Sequence, residues 1–342
     1  MRTCAAVLFI LLCAAAEGGD TSLANALRNG AYANVRIKVV EVDGTPVTNA
    51  IVSGGFTAGS NWMTDYVSVR GHTDAHGVCI AEGRCTDFLR YDVRKEGYYS
   101  AEERVYFSRT KAKPPVEDGK WQPYGEERKV VLKKIRNPIQ MRGRRVQKYY
   151  PFPAFDRWLG FDLGQCDWVA PLGQGTHSDV LIKFKYEKRD IGYYRSMEIS
   201  FTNSPYAGVY VMEKDSQSEM KSTYEASPNG VYTDNILYEF ERTERGANVV
   251  KKLEGNQYLV FRTRTKVDAE GKLESAHYGK IHGDWRFYEP GGMALGPVFF
   301  NPTPNDTNLE DAETARLSRL AYEQNLEFER KRKENHKSLW PF

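Results

Sequence analysis

The sequence has no long uncharged apolar run beyond its first residues, little cysteine and almost no net charge. It carries five cysteines and a charge of +3 over 342 residues. No stretch after residue 16 approaches the about 20 apolar residues of a membrane-spanning helix, so we expect no transmembrane segment in the mature chain. A charge this small argues against nucleic acid as the partner of the whole molecule. Motifs for a nucleophilic serine, a phosphate loop or a zinc protease are absent, and we expect no cofactor.

The first sixteen residues have the pattern of a secretory signal. Arg2 supplies a positive start, Ala5–Leu12 is an apolar run too short to span a bilayer, and Ala14–Ala16 offers small residues for cleavage. The sequence therefore predicts an exported protein that is periplasmic, on the cell surface or extracellular. A lipoprotein anchored through Cys13 is the alternative, although Leu12 stands where a small residue is expected.

Three cysteines remain if this segment is removed, namely Cys79, Cys85 and Cys166. Export implies an oxidising compartment. Five residues separate Cys79 from Cys85, and Gly83 among them is able to turn the chain, so we predict a structural disulfide between these two cysteines. Two free thiols are the alternative. Cys166 is then unpaired, and with no CxxC or matching histidine pair we expect no metal site.

Period-two alternation dominates the chain from residue 35. Val35, Ile37 and Val39 share one face of a predicted strand, and six further short strands follow before residue 135. Each is bounded by Gly, Pro, Asp or Asn, which is typical of a β-sandwich. Between two of these strands, Asp74 and Gly77 have the chemistry of a tight turn.

The segments Val39–Val47, Thr73–Gly77 and Val93–Tyr98, together with Ala50, resemble the carboxypeptidase regulatory-like domain. The resemblance covers residues 34–135. It implies a transthyretin-like sandwich that acts as a non-catalytic module of secreted or surface proteins. Two features depart from the family pattern: the long insertion-like segment Gly54–Asn61, and the Cys79/Cys85 pair.

Residues 149–304 are also rich in predicted strands and suggest a second, larger β-sandwich-like domain. Within it, Gly160–Pro171 and Phe300–Asp306 resemble segments of uncharacterised exported bacterial proteins that also carry the first domain. Between the two domains, residues 136–148 read as a basic linker. It belongs to a basic run over residues 128–148, whose charges either pair with acids elsewhere or contact an anionic surface.

A charged C-terminal helix is predicted over residues 307–335, with Thr307 and Glu310 as a capping box. Two ion pairs at i,i+4 spacing, Glu327 with Lys331 and Glu329 with Lys333, support the helix. Its second half is too polar to be buried, and an assembly role in which the helix pairs with another chain is one reading of that surface.

Three groups of residues have side chains suited to chemistry, and the first two have a better explanation. His72, Asp74 and His76 alternate as metal ligands would on a strand, but Asp74 is better explained as a turn former. Cys166 with His177 is a weak nucleophile–base pair. The candidate ligand-binding residues all come from one region, in which tryptophan could stack a sugar beside carboxylates: Trp158, Asp162, Asp167 and Trp168.

The sequence therefore predicts an all-β, exported, non-catalytic protein of the cell envelope or exterior. We expect it to bind or scaffold an unknown protein or glycan through its second domain. The alternative is a secreted carbohydrate-active hydrolase, or a sugar-binding accessory protein, acting through the Trp158–Trp168 region.

Overall fold

The computed structural model describes residues 17–58, 65–249, 253, 255–288 and 291–339. The chain divides into two compact units. Unit 1 comprises residues 17–134, 216–219 and 317–339, and unit 2 comprises residues 135–215 and 220–316. The expected export signal and part of the 54–61 insertion lie outside the described residues. Within the described ranges, no helix is long and apolar enough to cross a membrane.

Unit 1 is a sandwich of two sheets preceded by helix α1, Glu17–Asn29. Its nine strands are β1 Ala31–Val40, β2 Ile51–Ala58, β3 Asp65–His72, β4 Val78–Cys85, β5 Phe88–Arg94, β6 Ala101–Tyr106, β7 Val116–Glu117, β8 Lys120–Trp121 and β9 Glu126–Val131. One sheet has the order β4-β1-β8-β7, with β9 parallel to β1, and the other has the order β3-β2-β5-β6.

The alternation predicted for β1 is confirmed. Val35, Ile37 and Val39 point into the core and are fully buried, whereas the residues between them face solvent. The strand begins earlier than expected because α1 stops at Gly30, whose φ of +78° is characteristic of a helix end. The Gly30 N–H still donates to the Ala26 carbonyl at 2.8 Å, and the extended chain starts at the next residue.

The turn between β3 and β4 also forms as predicted. The Asp74 carboxylate accepts the backbone N–H groups of His76 and Val78 at 2.8 and 2.9 Å. Gly77 adopts a φ of +75°, which costs little only for glycine. A side chain there would also press on the Val39 carbonyl. Asp74 is therefore a structural residue.

The predicted Cys79–Cys85 disulfide is wrong, and both thiols are free and buried. The two cysteines lie on one continuous strand, where Cys79 pairs with Ile37 and Cys85 with Ala31. Six residues of extended chain separate their Cα atoms by about 20 Å, far beyond the about 7 Å limit for a bridge. Gly83 does not turn the chain, because its missing side chain makes room for the Phe56 ring.

Unit 2 holds fourteen strands among its described residues, in three sheets. They are β10 Arg142–Arg144, β11 Lys148–Pro151, β12 Trp158–Asp162, β13 Asp167–Trp168, β14 Val180–Lys188, β15 Tyr193–Ser200, β16 Gly208–Glu213, β17 Asn235–Thr243, β18 Gly246–Val249, β19 Gln257–Val267, β20 Leu273–Ile281, β21 Trp285–Tyr288, β22 Gly292–Leu295 and β23 Val298–Phe300. The sheet orders are β13-β12-β14-β15-β17-β18, β10-β23-β20-β19-β16 and β11-β22-β21. Their inner faces share one core.

The basic segment 136–148 belongs to unit 2 and is not a separate linker. It contributes β10, which pairs with β23, and it leads into β11. Arg145 forms an ion pair with the buried carboxylate of Asp311. The Arg136 guanidinium lies 3.7 Å from the centre of the Tyr224 ring. At least these two charges have partners elsewhere in the unit.

The C-terminal helix α2 spans Ala312–Leu339 and begins later than predicted. Its cap is Asp311, whose carboxylate accepts the Thr314 N–H at 2.9 Å. Glu310 does not form the expected capping box, because its carboxylate accepts the backbone N–H groups of Arg136 and Asn137. The predicted i,i+4 pair between Glu327 and Lys331 forms at 2.7 Å. The predicted pair of Glu329 with Lys333 lies outside the described residues, because the side chain of Lys333 is not among them.

Candidate functional site

An open cleft in unit 2, with a volume of about 330 Å³, combines a concave shape with a distinctive chemistry. We call it the aromatic cleft. Its lining consists of aromatic rings, three basic side chains and one glycine, namely Phe152, Phe155, Lys185, Tyr186, Tyr193, Arg195, Arg242, Tyr288 and Gly291. Rings and cations converging on a concave surface are typical of a ligand site.

The cleft lies where the six-stranded sheet extends beyond the buried core. On its inner face, Phe184 of β14, Met197 of β15 and Tyr238 of β17 are adjacent and buried. The next row of inward-facing positions lies two residues further along each strand. It consists of Tyr186 on β14, Arg195 on β15 and Phe240 on β17. These side chains share the core-facing side by the period of two, yet Tyr186 is 54% exposed. The inner face is therefore only partly covered at this end.

The rings of the cleft stack on one another in a row. The Tyr193 ring lies between Tyr186, at a centroid distance of 5.8 Å, and Phe240, at 5.7 Å, with interplanar angles of 28° and 22°. On the opposite wall, the Phe152 and Phe155 rings meet edge to face at 5.8 Å. Stacked and edge-to-face rings restrain each other, so the cleft has a largely preformed shape.

The Arg195 guanidinium is inserted among these rings. It lies 4.3 Å from the centre of the Phe240 ring and 4.8 Å from that of Phe287, on the facing side of the cleft. Contacts of this kind favour a cation over a ring face. They hold a positive charge at the floor of an otherwise aromatic site.

The cleft is positively charged. Among its described lining residues, three are basic and none is acidic. Neither Lys185 nor Arg242 is paired with a carboxylate within the described part of the chain. The nearby Glu241 instead forms an ion pair with Arg189. The arrangement suits a ligand that carries negative charge.

The two tryptophans predicted as a sugar platform do not form one together. Trp168 is 4% exposed and packs in the core, with its ring edge to face with Phe161 at 5.1 Å. Its indole N–H donates to the Pro151 carbonyl at 3.2 Å. Trp158 is 42% exposed, at the opposite end of β12 from Asp162, and the Lys183 ammonium lies over it.

The two predicted carboxylates serve the loop that follows β12. Asp162 is completely buried and accepts the backbone N–H groups of Gln165, Thr176 and His177 at 2.9 to 3.0 Å. Burial raises its pKa, but these hydrogen bonds and the Arg264 charge outweigh that effect, and the pKa is lowered overall. Asp167 accepts the N–H of Trp168 and of Gln174.

Asp162 also belongs to a buried ionic network. Arg264 donates to Asp162 at 3.1 Å and to both oxygens of Asp179 at 2.8 and 2.9 Å. Asp179 accepts in addition from the Leu163 N–H and the Thr263 hydroxyl. Every oxygen of the two carboxylates has a partner, which is the arrangement of a structural network rather than of a catalytic pair.

The other weighed constellations also lack the geometry for catalysis. Burial raises the pKa of Cys166 to about 12, so it is protonated at neutral pH. The His177 ring contacts Thr176 and Asp162. In unit 1, the His72 ring lies 3.6 Å from Glu329. Over the described ranges, no group of three or more His, Cys, Asp or Glu side chains could hold a metal ion.

No family model matches the chain, and no curated protein matches it at a significant level. Among solved structures, it is similar to 3-chlorocatechol 1,2-dioxygenase from Rhodococcus opacus, with 15% identity and a TM-score of 0.25 over 32% of this chain and 62% of that one. It is also similar to hydroxyquinol 1,2-dioxygenase from Pseudomonas putida, with 16% identity and a TM-score of 0.24 over 32% and 58%. Both matches span less than two thirds of the dioxygenase chains. A shaft pilin from Lactobacillus rhamnosus matches with 10% identity and a TM-score of 0.23 over 82% of this chain and 95% of the pilin.

Proposed function

We propose that the chain is an exported, non-catalytic binding protein of the cell envelope or exterior, and that unit 2 binds its ligand in the aromatic cleft. The observation that carries the proposal is the lining of that cleft, which combines solvent-accessible rings with three cations and has no carboxylate, histidine or cysteine among its described residues. Such a surface can hold a ligand by stacking and charge, and it lacks the paired carboxylates that hydrolysis of a glycoside requires.

The first unit fits the same proposal as a carrier module. We infer that residues 34–135 form a carboxypeptidase regulatory-like domain with a transthyretin-like arrangement. The support is the Asp74–Gly77 turn and the Asp43–Val47 turn, in which the Thr45 N–H donates to the Asp43 carboxylate at 2.9 Å. These residues have turn-forming roles, which leaves recognition to the second unit.

The hydrolase alternative is less well supported. Hydrolysis of a glycoside requires two carboxylates free to exchange protons or attack, about 5–10 Å apart. Asp162 is saturated by backbone N–H groups and by Arg264, and Asp167 is held by two N–H groups of its own loop. With Trp168 in the core, the region provides neither a sugar platform nor an available acid.

A binding and turnover assay tests the proposal. The chain without residues 1–16 is run by affinity electrophoresis through gels that contain soluble polysaccharides, neutral and acidic, and the reducing ends released are measured in parallel. We expect retardation without release. Tyr186→Ala should weaken binding about tenfold, since one aromatic contact contributes about 0.5–1.5 kcal/mol beyond its buried area.

Tyr66→Ala is the matched control, because Tyr66 is a 52% exposed tyrosine of unit 1 and Tyr186 is 54% exposed. It should leave the retardation unchanged. Equal binding by the two variants would remove the cleft from the proposal. Release of reducing ends that Asp162→Asn or Asp167→Asn abolishes would replace it with the hydrolase.

A further inference from the structure

We propose that the ligand of the aromatic cleft is an acidic polysaccharide, and that its chain continues from the cleft onto the outer face of the sheet β11-β22-β21. This inference rests on the proposed function and names the ligand class for the same site. It also adds a second contact surface outside the cleft, which we call the tyrosine face and define by Gln147, Tyr149, Arg286 and Tyr288.

Charge selects an anionic ligand. Lys185 and Arg242 line the cleft without a carboxylate partner in the described ranges, Arg242 from an inward position of β17 and Lys185 from an outward position of β14. A carboxylate or sulfate bound here would meet these two cations, and no acid stands among the described residues of the lining. A neutral ligand would leave these cations without a counter-charge.

The exposed parts of the rings suit sugars. Tyr186 and Tyr288 combine an apolar ring with a hydroxyl, and Phe155 adds a purely apolar surface. A sugar ring has apolar C–H faces and hydroxyl edges, so it matches tyrosine in both respects. The bases of a nucleic acid could stack on the same rings, but the small net charge of +3 argues against a nucleic acid as the ligand.

The tyrosine face continues the cleft without a break, because Tyr288 belongs to both. Its ring lies 4.3 Å, centroid to centroid, from Tyr149. The register places Tyr149, Ala294 and Arg286 side by side across the three strands. Two residues further along the strands, Pro151, Gly292 and Tyr288 form the next row. Residues directly opposite one another in a sheet share a face, so both rows lie on the same face.

The middle strand gives this face its shape. The outward residues of β22 are Gly292 and Ala294, which have little or no side chain. The rings of Tyr149 on β11 and Tyr288 on β21 therefore approach each other across this strand. A Cβ at Gly292 would overlap the Tyr150 carbonyl. Arg286 donates to Gln147 at 2.6 Å, and Gln147 donates to the Tyr149 hydroxyl at 2.8 Å. These bonds hold a cation and a ring in place beside each other.

A surface made of a cleft and an adjoining flat face accommodates a chain better than a single sugar. The cleft supplies rings and cations, and the tyrosine face repeats the same combination with Tyr149 and Arg286. Two consecutive sites of one chemistry are expected when the ligand repeats its own chemistry, as a polymer of acidic sugars does. Binding at both sites along one chain raises the overall affinity.

The experiment compares sodium polygalacturonate with its fully methyl-esterified form, which has the same backbone without the charge. Binding is measured by isothermal titration calorimetry at low and high salt. Polygalacturonate should bind at least about tenfold more tightly than the ester, a difference of about 1.4 kcal/mol, and should weaken as salt rises. Arg242→Gln should lower its affinity, whereas Arg84→Gln, an exposed arginine of unit 1, should not.

Chain length tests the tyrosine face. Tyr149→Ala and Arg286→Gln should each lower the affinity for the polymer several-fold and leave that for a galacturonate trimer unchanged, because the trimer occupies the cleft. An equal effect on polymer and trimer, or none on either, would overturn the continuation. Unchanged melting temperatures in both variants show that the fold is intact.

Other outcomes separate this inference from the proposed function. Equal binding of polygalacturonate and its ester, both lost in Tyr186→Ala, would overturn the acidic ligand and leave the cleft as the binding site. Binding unaffected by Tyr186→Ala would overturn both. Failure of polygalacturonate, hyaluronate and heparin alike would refute the ligand class. Tighter binding of an oligothymidylate of equal charge, with displacement of polygalacturonate, would assign the site to nucleic acid.

Discussion

Replacement of Arg264 by methionine should destabilise unit 2 more than the loss of any exposed ion pair. Arg264 makes three hydrogen bonds to two carboxylates, at 2.8 to 3.1 Å, and only 17% of its side chain is exposed. Asp162 and Asp179 are both fully buried. Methionine keeps an unbranched apolar stem, although it is shorter than arginine, and leaves two negative charges facing each other without a cation.

The expected loss is about 3–5 kcal/mol, the usual cost of removing one partner from a buried ion pair. Asp162 keeps its three backbone N–H donors, whereas Asp179 keeps one N–H and a hydroxyl, so most of the cost should arise at Asp179. For a domain of about 150–250 residues, each kcal/mol lowers Tm by about 2–4 °C. The variant should therefore melt about 6–20 °C lower.

Differential scanning calorimetry and urea unfolding, followed by near-ultraviolet circular dichroism, measure this loss. Arg189→Met is the control, because Arg189 pairs with Glu241 at the surface of the same unit and should change stability by no more than about 1 kcal/mol. Asp179→Asn added to Arg264→Met should recover part of the loss, since it removes one of the stranded charges. A loss in Arg264→Met that does not exceed the control would refute the structural role of the network.

Three further predictions follow from buried groups. None of the three cysteines beyond residue 16 should react quickly with a thiol reagent at pH 8 in the native protein, because burial raises the pKa of Cys85 to about 11 and of Cys166 to about 12. In denaturant all three should react without prior reduction, and a single reactive thiol would restore the Cys79–Cys85 disulfide. Gly279→Ala should lower the free energy of unfolding by about 1–3 kcal/mol, because the new methyl group would overlap the Phe261 ring. Gly255 has open space around it, so Gly255→Ala should lower that free energy very little. Equal effects of the two substitutions in urea unfolding would contradict the close packing at Gly279. Because the pKa of Asp162 is lowered in the folded state, its charge stabilises the fold at pH values above the unfolded pKa of about 3.9, and this stabilisation is lost as pH falls through the folded pKa. The loss of stability caused by Asp162→Asn should therefore shrink below about pH 4. A loss that stays constant from pH 7 to pH 3 would show that the charge is irrelevant.

Features that depend on neighbouring residues could be predicted from the sequence. The alternation of β1 requires only that one face be buried, and the Asp74–Gly77 turn is built from its own side chain and its own backbone. The hairpin at Asp268–Gly271 is similar, with the Asp268 N–H bonded to the Lys272 carbonyl and Gly271 at a φ of +79°. In each of the two turns the stabilising contact spans no more than five residues.

Features that depend on distant partners could not be predicted. Cys79 and Cys85 looked like the two sides of a turn, but pairing with β1 along its length keeps the strand straight. Glu310 matched a capping box until a loop more than 170 residues away supplied two N–H donors to it. β19 is buried on both faces, since Tyr258 and Val260 are as buried as Leu259 and Phe261, and the Tyr258 hydroxyl accepts the Thr223 N–H from a distant segment.

The candidate site illustrates the same limit. The sequence points to Trp158 and Trp168 because they lie near carboxylates. The cleft instead consists of common residue types, which indicate a site only when they are seen side by side on neighbouring strands. Tyr186 and Arg195 pair directly across two strands, and the core residues Phe184 and Met197 form the next inward row. The signal was present as a change at the inward positions, from Phe184 to Tyr186 in β14 and from Met197 to Arg195 in β15.

That change has a physical meaning that applies beyond this site. An inward position of a sandwich strand carries an apolar side chain wherever the opposite sheet covers it, because an uncompensated charge there would be costly. When consecutive inward positions on neighbouring strands become tyrosine and arginine, the cover must end, and the exposed inner face becomes a concave surface with a preorganised row of rings. The register of the three strands was the one missing fact, since a shift by one residue would have directed the same side chains outward. The location of the cleft therefore follows from local alternation and long-range pairing together, and neither alone would have identified it.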